Sequence, residues 1–237
     1  LMDIHGISLG NRRVMSFHDH NARAALPKVL AAMEDGKSVV YASEAGTPLV
    51  SDPGYELPRA VIDAGLPLVC APGPTAAVAA LTLAGLASDS VFFAGVLPAR
   101  SAKRKSALEA LRTVPGTLIF YESPKRVAAM LADAVAVLGE DRPAALCREI
   151  TKKFEQTLRG PLGEIANEAA HRDIKGEIVV LIERGASMSI NEIDLDTVLS
   201  KALETATVRD AAEQVAADLG LKKRDVYQRA LALSKSD

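Results

Sequence analysis

An α/β fold with a helical tail is predicted for this chain by three observations. Apolar, β-rich runs alternate with amphipathic helical stretches between residues 38 and 185. Two glycine- and proline-rich turns each stand between such a run and a helix. From residue 194 onward the pattern is wholly helical.

The elements follow in order. Residues 38–42 (SVVYA) read as a strand, residues 43–54 (SEAGTPLVSDPG) as a turn, and residues 55–64 as a helix with Leu57, Ala60, Val61 and Ala64 on one face. A strand at 67–71 leads into a second turn, APGPTAA at 71–77, and a small-residue helix over 75–86. A second series comprises a strand at 90–95, a helix at 107–111, a strand at 117–121, a helix at 126–138 and a strand at 144–148. An extended run at 155–159, a helix at 162–171 and a strand at 177–183 complete it. Residues 186–191 form a polar linker. Two helices then follow, 207–219 and 222–233, joined by a short turn at Gly220 in a helix-turn-helix pattern. The chain opens with Leu1 and no recognisable first strand, so it is expected to lack its natural N-terminus.

Composition limits the function classes. With 49% apolar residues among 237, a conventional core is expected, and no apolar run reaches the roughly 18–20 residues of a membrane span. A soluble, cytoplasmic protein is the expectation. Aromatic residues make up only 4%, which argues against binding dominated by stacking. Cys70 and Cys147 lie in apolar runs without metal-ligand spacing, and read as reduced core residues. His18 and His20 have HxH spacing but no evident third ligand, so no metal site is expected. The formal net charge of −2 gives no overall basic field, yet basic residues cluster locally at 100–105, 125–126, 148–153 and 222–224.

The two turns contain neither GxGxxG nor GxxxxGK[ST], so dinucleotide and nucleoside-triphosphate readings lack support. Each can bring bare backbone against a small ligand at a strand end. Glu122, Arg148 with Glu149, and Lys175-Gly176-Glu177 are further polar groups at strand ends. Thr75 suits either a helix N-cap or a ligand contact.

The segments SEAGTPLVSDPGYEL, APGPTAA, GVLPARSAKR, YESPKR, CREITKKFE and KGEIVVLIERG stand in the order and spacing of the RsmI family. The chain thus resembles 16S ribosomal RNA cytidine 2′-O-methyltransferases of the tetrapyrrole-methylase-like, class III, S-adenosylmethionine-dependent superfamily. The resemblance covers about residues 18–185, and the tail is similar to the family's C-terminal helix-turn-helix region. It departs at the start, where the family's first strand and TPIGNLGD-type turn are absent.

The resemblance implies two α/β domains, residues 1–88 and 89–185, with the methyl donor between them, and a helical region at 190–237. It implies S-adenosyl-L-methionine as cofactor, methylation at cytidine 1402 of the decoding centre, the 16S rRNA or small ribosomal subunit as partner, and a homodimer. Donor contacts carried over are Ala45, Gly46, Thr47, Pro48 and Val50 for the methionine portion, and Thr75 and Ala76 at a helix start. Glu122, Gly160, Gly176, Glu177 and Ile178 would face adenine and ribose. Glu122, Lys152, Arg148, Glu149 and Glu155 are the catalytic candidates, with an ion-pair network between strand ends as the competing reading. RNA contacts fall to Arg100, Lys103, Arg104, Lys125, Arg126, Lys222, Lys223 and Arg224.

The reaction needs alignment of hydroxyl and methyl above all, with a smaller gain from a proton acceptor. Arg148 cannot be that acceptor, because a guanidinium stays protonated. Two alternatives remain open at this level: a tetrapyrrole or diphthine-type methyltransferase on the same fold, and a non-catalytic RNA-binding or assembly module.

Overall fold

The computed structural model describes residues 2, 4–18, 20–43, 45–52, 54–185, 192–219 and 221–234, with the side chains of 192–194 excepted. The linker at 186–191, the turn residue Gly220, and Glu44 and Pro53 of the first turn lie outside the described residues. The chain divides into two compact units, Leu1–Gly185 and Ala186–Asp237.

The first unit is organised on a five-stranded mixed sheet. Its strands are β1 (Val91–Gly95), β2 (Thr117–Glu122), β3 (Pro143–Arg148), β4 (Gln156–Pro161) and β5 (Ile178–Ile182), in the spatial order β1-β2-β5-β3-β4. β1 and β2 are parallel, and the remaining pairs are antiparallel. The period-two pattern of the central strands sorts their side chains onto two faces. Leu118, Phe120, Ala144, Leu146, Ile178, Val180 and Ile182 point into one core, with Leu108, Met130, Leu131, Leu162 and Ile165 from α4 (Ser101–Leu111), α5 (Pro124–Leu138) and α6 (Leu162–His171). Ile119, Ala145, Cys147, Val179 and Leu181 face the other way, against Ala77, Ala80 and Ala84 of α3 (Ala76–Ala84). Small residues on α3 allow that close approach to the sheet.

Two helices precede this layer: α1 (Ala22–Glu34) and α2 (Glu56–Asp63) pack through Val29, Leu57 and Val61. The strands expected at 38–42 and 67–71 are not formed. Neither run belongs to a strand ladder among the described residues, and Val40 and Val69 are 87% and 94% exposed. A β run becomes a strand only when a neighbour takes its backbone donors and acceptors. Cys70, within the second run, is consequently exposed and is not a core residue as expected; Cys147 is buried, and both thiols are free. Burial pushes the Cys147 thiol up, in keeping with an inert core position.

The second unit holds α7 (Glu192–Leu203), α8 (Val208–Leu219) and α9 (Lys223–Leu233), packed around Leu199, Ala212, Val215, Ala216, Val226 and Ala230. Arg229 of α9 grips Asp196 of α7 through two hydrogen bonds of 2.6 Å, a fork geometry that fixes the crossing of the two helices. No described helix is long and apolar enough to cross a membrane.

Candidate functional site

A pocket of ≈ 340 Å³ opens where β1 and β2 end and β5 begins, lined by Val96, Tyr121, Glu122, Ser123, Pro124, Arg126, Gly176 and Glu177. The register explains the grouping. Glu122 pairs with Ile178, and Ile178 with Arg148, so three strand ends meet at one edge of the sheet. The parallel pair β1 and β2 each run into a helix start there, at Ser101 and Pro124, which is where an open α/β sheet gathers ligands.

Glu122 is the most deeply placed charge in the pocket. Its side chain is 1% exposed; Oε1 accepts from the Ser123 N–H at 2.8 Å, and Oε2 lies 3.2 Å from Arg126 Nη2. That contact is outside hydrogen-bond geometry, so among the described residues Glu122 Oε2 and Arg126 Nε are buried polar atoms without a hydrogen-bond partner. Arg126 donates its other bond to the Leu97 carbonyl. A buried carboxylate oxygen left open is costly unless something else occupies it.

Beside the pocket, the turn after β3 forms a second cluster. Glu149 accepts from Lys152 Nζ at 2.8 Å and from the Glu177 N–H at 3.0 Å, and Lys152 also reaches Glu177 Oε2 at 3.1 Å. The hydrogen bond from Lys152 and that from the Glu177 backbone hold the Glu149 carboxyl below its usual range. The bonds to Glu149 and Glu177 correspondingly raise Lys152, which therefore stays an ammonium and is no proton acceptor. Gly176 is required here: at φ +89° a Cβ would stand 2.3 Å from the Glu149 carboxylate. Arg148 donates to the carbonyls of Lys175 and Phe154, and Glu155 accepts from the Thr151 N–H at 2.5 Å. Of the catalytic candidates, then, Lys152, Arg148, Glu149 and Glu155 bind one another and the turn backbone, as the ion-pair reading anticipates, while Glu122 Oε2 lacks a hydrogen-bond partner among the described residues. Arg148 Nε is likewise buried without a partner among the described residues.

The two glycine-rich turns are joined. Thr47 donates its N–H to the Pro74 carbonyl at 3.0 Å and its hydroxyl to Gly73 and Pro74, both at 3.1 Å. Gly46 holds φ +70°, as the tight turn demands, and Ser43 Oγ closes it onto the carbonyls of Ala45 and Gly46. Ala45 is exposed, while Pro48 and Val50 are half-buried. Thr75 is an N-cap in fact: its Oγ1 accepts from the Val78 N–H at 3.2 Å, at the start of α3, with Ala76 exposed beside it. Within the same first turn, the Ala77 N–H donates to Tyr121 Oη at 3.0 Å. Tyr121 thereby ties the second turn to the pocket wall, and burial raises its phenol above the usual value. Tyr121, Ser123 and Val96 lie within the motifs YESPKR and GVLPARSAKR without being singled out there as site residues; the structure brings them to the pocket.

Three expectations need correction. Gly160 pairs with Ala144, at the other end of β3 from Arg148, four residues or about 13 Å along the sheet, so it is not a neighbour of Glu122. Arg104 is buried rather than offered to RNA. Its guanidinium bonds Asp133 at 2.7 Å and the Ala99 carbonyl at 3.1 Å, with Ser101 also donating to Asp133. Arg126 is half-buried in the pocket wall. Arg100, Lys103 and Lys125 are exposed around the starts of α4 and α5; in the tail Lys222 and Arg224 are exposed, while Lys223 pairs with Glu213 at 2.6 Å. Among the described residues no group of three His, Cys, Asp or Glu side chains could hold a metal ion.

Residues 7–166 match the tetrapyrrole (corrin/porphyrin) methylases, and residues 190–234 match the RsmI C-terminal HTH domain. The chain is 44% identical over 234 residues to the ribosomal RNA small subunit methyltransferase I of Mesorhizobium japonicum, covering 98% of this chain and 79% of that one. It is 41% identical over 226 residues to the protein of the same name from Escherichia coli O157:H7, covering 93% and 78%. Among solved structures, a diphthine synthase superposes with a TM-score of 0.57 at 15% identity, covering 77% of this chain and 72% of that one. A cobalt precorrin-4 methyltransferase gives 0.55 at 17% identity, covering 77% and 79%. At that identity these two show a common fold.

Proposed function

The chain belongs to the tetrapyrrole methylase family and, within it, to the ribosomal RNA small subunit methyltransferase I proteins, and from that premise we propose that it transfers a methyl group from S-adenosylmethionine to the ribose 2′-oxygen of a cytidine in 16S rRNA, position 1402 of the decoding centre. The observation that carries the site assignment is the buried Glu122 carboxylate of the strand-end pocket, whose Oε2 faces Arg126 without a hydrogen bond.

The residues suit the donor. Gly46 and Gly176 keep side chains away from the two approaches, the joined turns present backbone groups, and Thr75 and Ala76 stand at a helix start, whose positive dipole end favours a carboxylate. Ala45, Gly46, Thr47, Pro48, Val50, Thr75 and Ala76 would hold the methionine portion, and Glu122, Gly176, Glu177 and Ile178 the nucleoside portion. S-adenosylmethionine supplies a methyl group on a sulfonium, already an excellent leaving group.

The chain's own work is positioning. Glu122 can accept a hydrogen bond from a hydroxyl and take its proton, which contributes on the order of 10²–10⁴-fold. Arg126, fixed by the Leu97 carbonyl, keeps a positive charge beside that carboxylate. Lys152 remains protonated between Glu149 and Glu177, and its role is to fix the turn that carries Gly176. Exposed Arg100, Lys103 and Lys125 of the first unit would take RNA phosphates, and so would Lys222 and Arg224 of the second. A homodimer in the cytoplasm belongs to the same reading.

The test is a calorimetric titration of the full chain with S-adenosylhomocysteine, beside transfer of labelled methyl to small subunits from a strain lacking the mark. Binding with transfer supports the reading. RNA binding without donor binding would replace it with the non-catalytic module.

A further inference from the structure

The turn between β3 and β4 displays a large aromatic side chain that the reaction as proposed does not use. Phe154 is 64% exposed in a chain with only five phenylalanines. A lone exposed apolar side chain is ordinary on a protein surface, so the setting of the ring, rather than its exposure, decides whether it serves a contact. The turn is well tied. The Phe154 carbonyl accepts from Arg148 Nη2, Thr151 N–H is held by Glu155, and Lys152 is clamped by Glu149 and Glu177. Its backbone is also strained, with Glu149 at φ 51° and the β-branched Thr151 at φ 66°, a conformation that persists only where surrounding bonds impose it.

Position and charge say what the ring meets. Glu177, which lines the pocket, is bonded to Glu149 and Lys152, so the turn that carries Phe154 is tied to the pocket wall. Lys153 Nζ lies 5.6 Å from the ring centroid, a cation–π contact, and among the described residues no carboxylate pairs with it. An exposed ring beside an uncompensated ammonium is the pairing that holds single-stranded nucleic acid: the ring stacks a base and the cation takes the adjoining phosphate.

We propose that Phe154 is a stacking platform for an unpaired nucleobase flanking the methylated nucleotide, with Lys153 on the neighbouring phosphate. The inference rests on the RNA-methylation reading above.

The experiment compares Phe154→Ala, Phe154→Leu, Phe154→Trp and Lys153→Ala in the full chain, using small subunits that lack the mark. Stacking predicts that Ala and Leu each raise KM for the subunit by about 5- to 150-fold, while Trp stays near the parent. The affinity for S-adenosylhomocysteine and the melting temperature should not change. Lys153→Ala should lower the salt slope of RNA binding by about 0.7. Because the chain has no tryptophan, Phe154→Trp also gives a direct probe, whose fluorescence should be quenched by an unpaired oligoribonucleotide. An unchanged KM in Phe154→Ala, full rescue by Leu, or a KM change accompanied by a change of oligomeric state in light scattering would each overturn the proposal. If the parent chain transfers no methyl at all, the functional reading fails instead, and the quenching measurement alone decides whether the ring stacks a base.

Discussion

Residues 38–42 (SVVYA) and β2 (TLIFYE) are both short, mainly apolar runs with β-branched and aromatic residues, yet they reach different ends. β2 is paired on both sides, and its side chains fill two cores; residues 38–42 form no strand among the described residues, with Val40 in solvent. The difference lies in neighbours, since intrinsic strand preference is decided by what packs against it. The same contrast divides the site. Glu122 and Arg148 are placed by strand register and the core beneath, whereas the two glycine-rich turns are placed by a handful of bonds, chiefly Thr47 to Gly73 and Pro74 and Ala77 to Tyr121.

The largest way to break this contrast is to damage the sheet side's support. Asp133→Ala leaves the Arg104 guanidinium buried and unpaired, which should cost about 3–5 kcal/mol of unfolding free energy, read by denaturant titration. The same pair has an acid signature. Burial pushes the Asp133 carboxyl up, but hydrogen bonds from Ser101 and Arg104, with the charges of Arg104 and Lys105, outweigh it and hold it below the ordinary aspartate value. Its contribution is therefore present above the unfolded-state value and is lost as the pH falls through the depressed folded one. Asp133→Ala should lack that component of acid sensitivity.

Next in size, Glu122→Gln should lower kcat by about 100-fold or more while leaving the melting temperature near that of the parent. An unaltered kcat would move the proton acceptor elsewhere. On the turn side the effects should be smaller and local. Tyr121→Phe removes the acceptor for the Ala77 N–H and should cost about 1 kcal/mol, with donor affinity weakened and kcat little changed. If instead it destabilises as much as Asp133→Ala, the turns are part of the same cooperative core. The smallest effect expected is for Lys125→Ala: a salt slope for RNA binding shallower by about 0.7, with catalysis at saturation unchanged.

Much of this was legible in the sequence for stateable reasons. The alternation of periods located β1 to β5, and α4 through α6 follow from helical spacing, though α4 begins six residues earlier than its apolar pattern indicates because its first turn is basic. The motif order gave the family. Pairing partners were not legible: nothing in residues 67–71 announces the absence of a neighbour, and Cys70 is exposed in consequence. Local charge was equally mute about depth. Arg104 and Lys103 are adjacent in the sequence, but the helix turns one onto Asp133 and the other outward. Gly160 was placed by motif alone, and strand register sets it at the far end of the sheet.

The central claim is that the strand-end pocket methylates a ribose hydroxyl of small-subunit RNA. Mass spectrometric mapping of 16S rRNA, after small subunits lacking the mark are incubated with the protein and S-adenosylmethionine, tests it most directly. The account predicts one added methyl on the ribose of cytidine 1402, and none when Glu122→Gln is used over the same interval. An unmodified cytidine, or a methyl carried on the base, would contradict it.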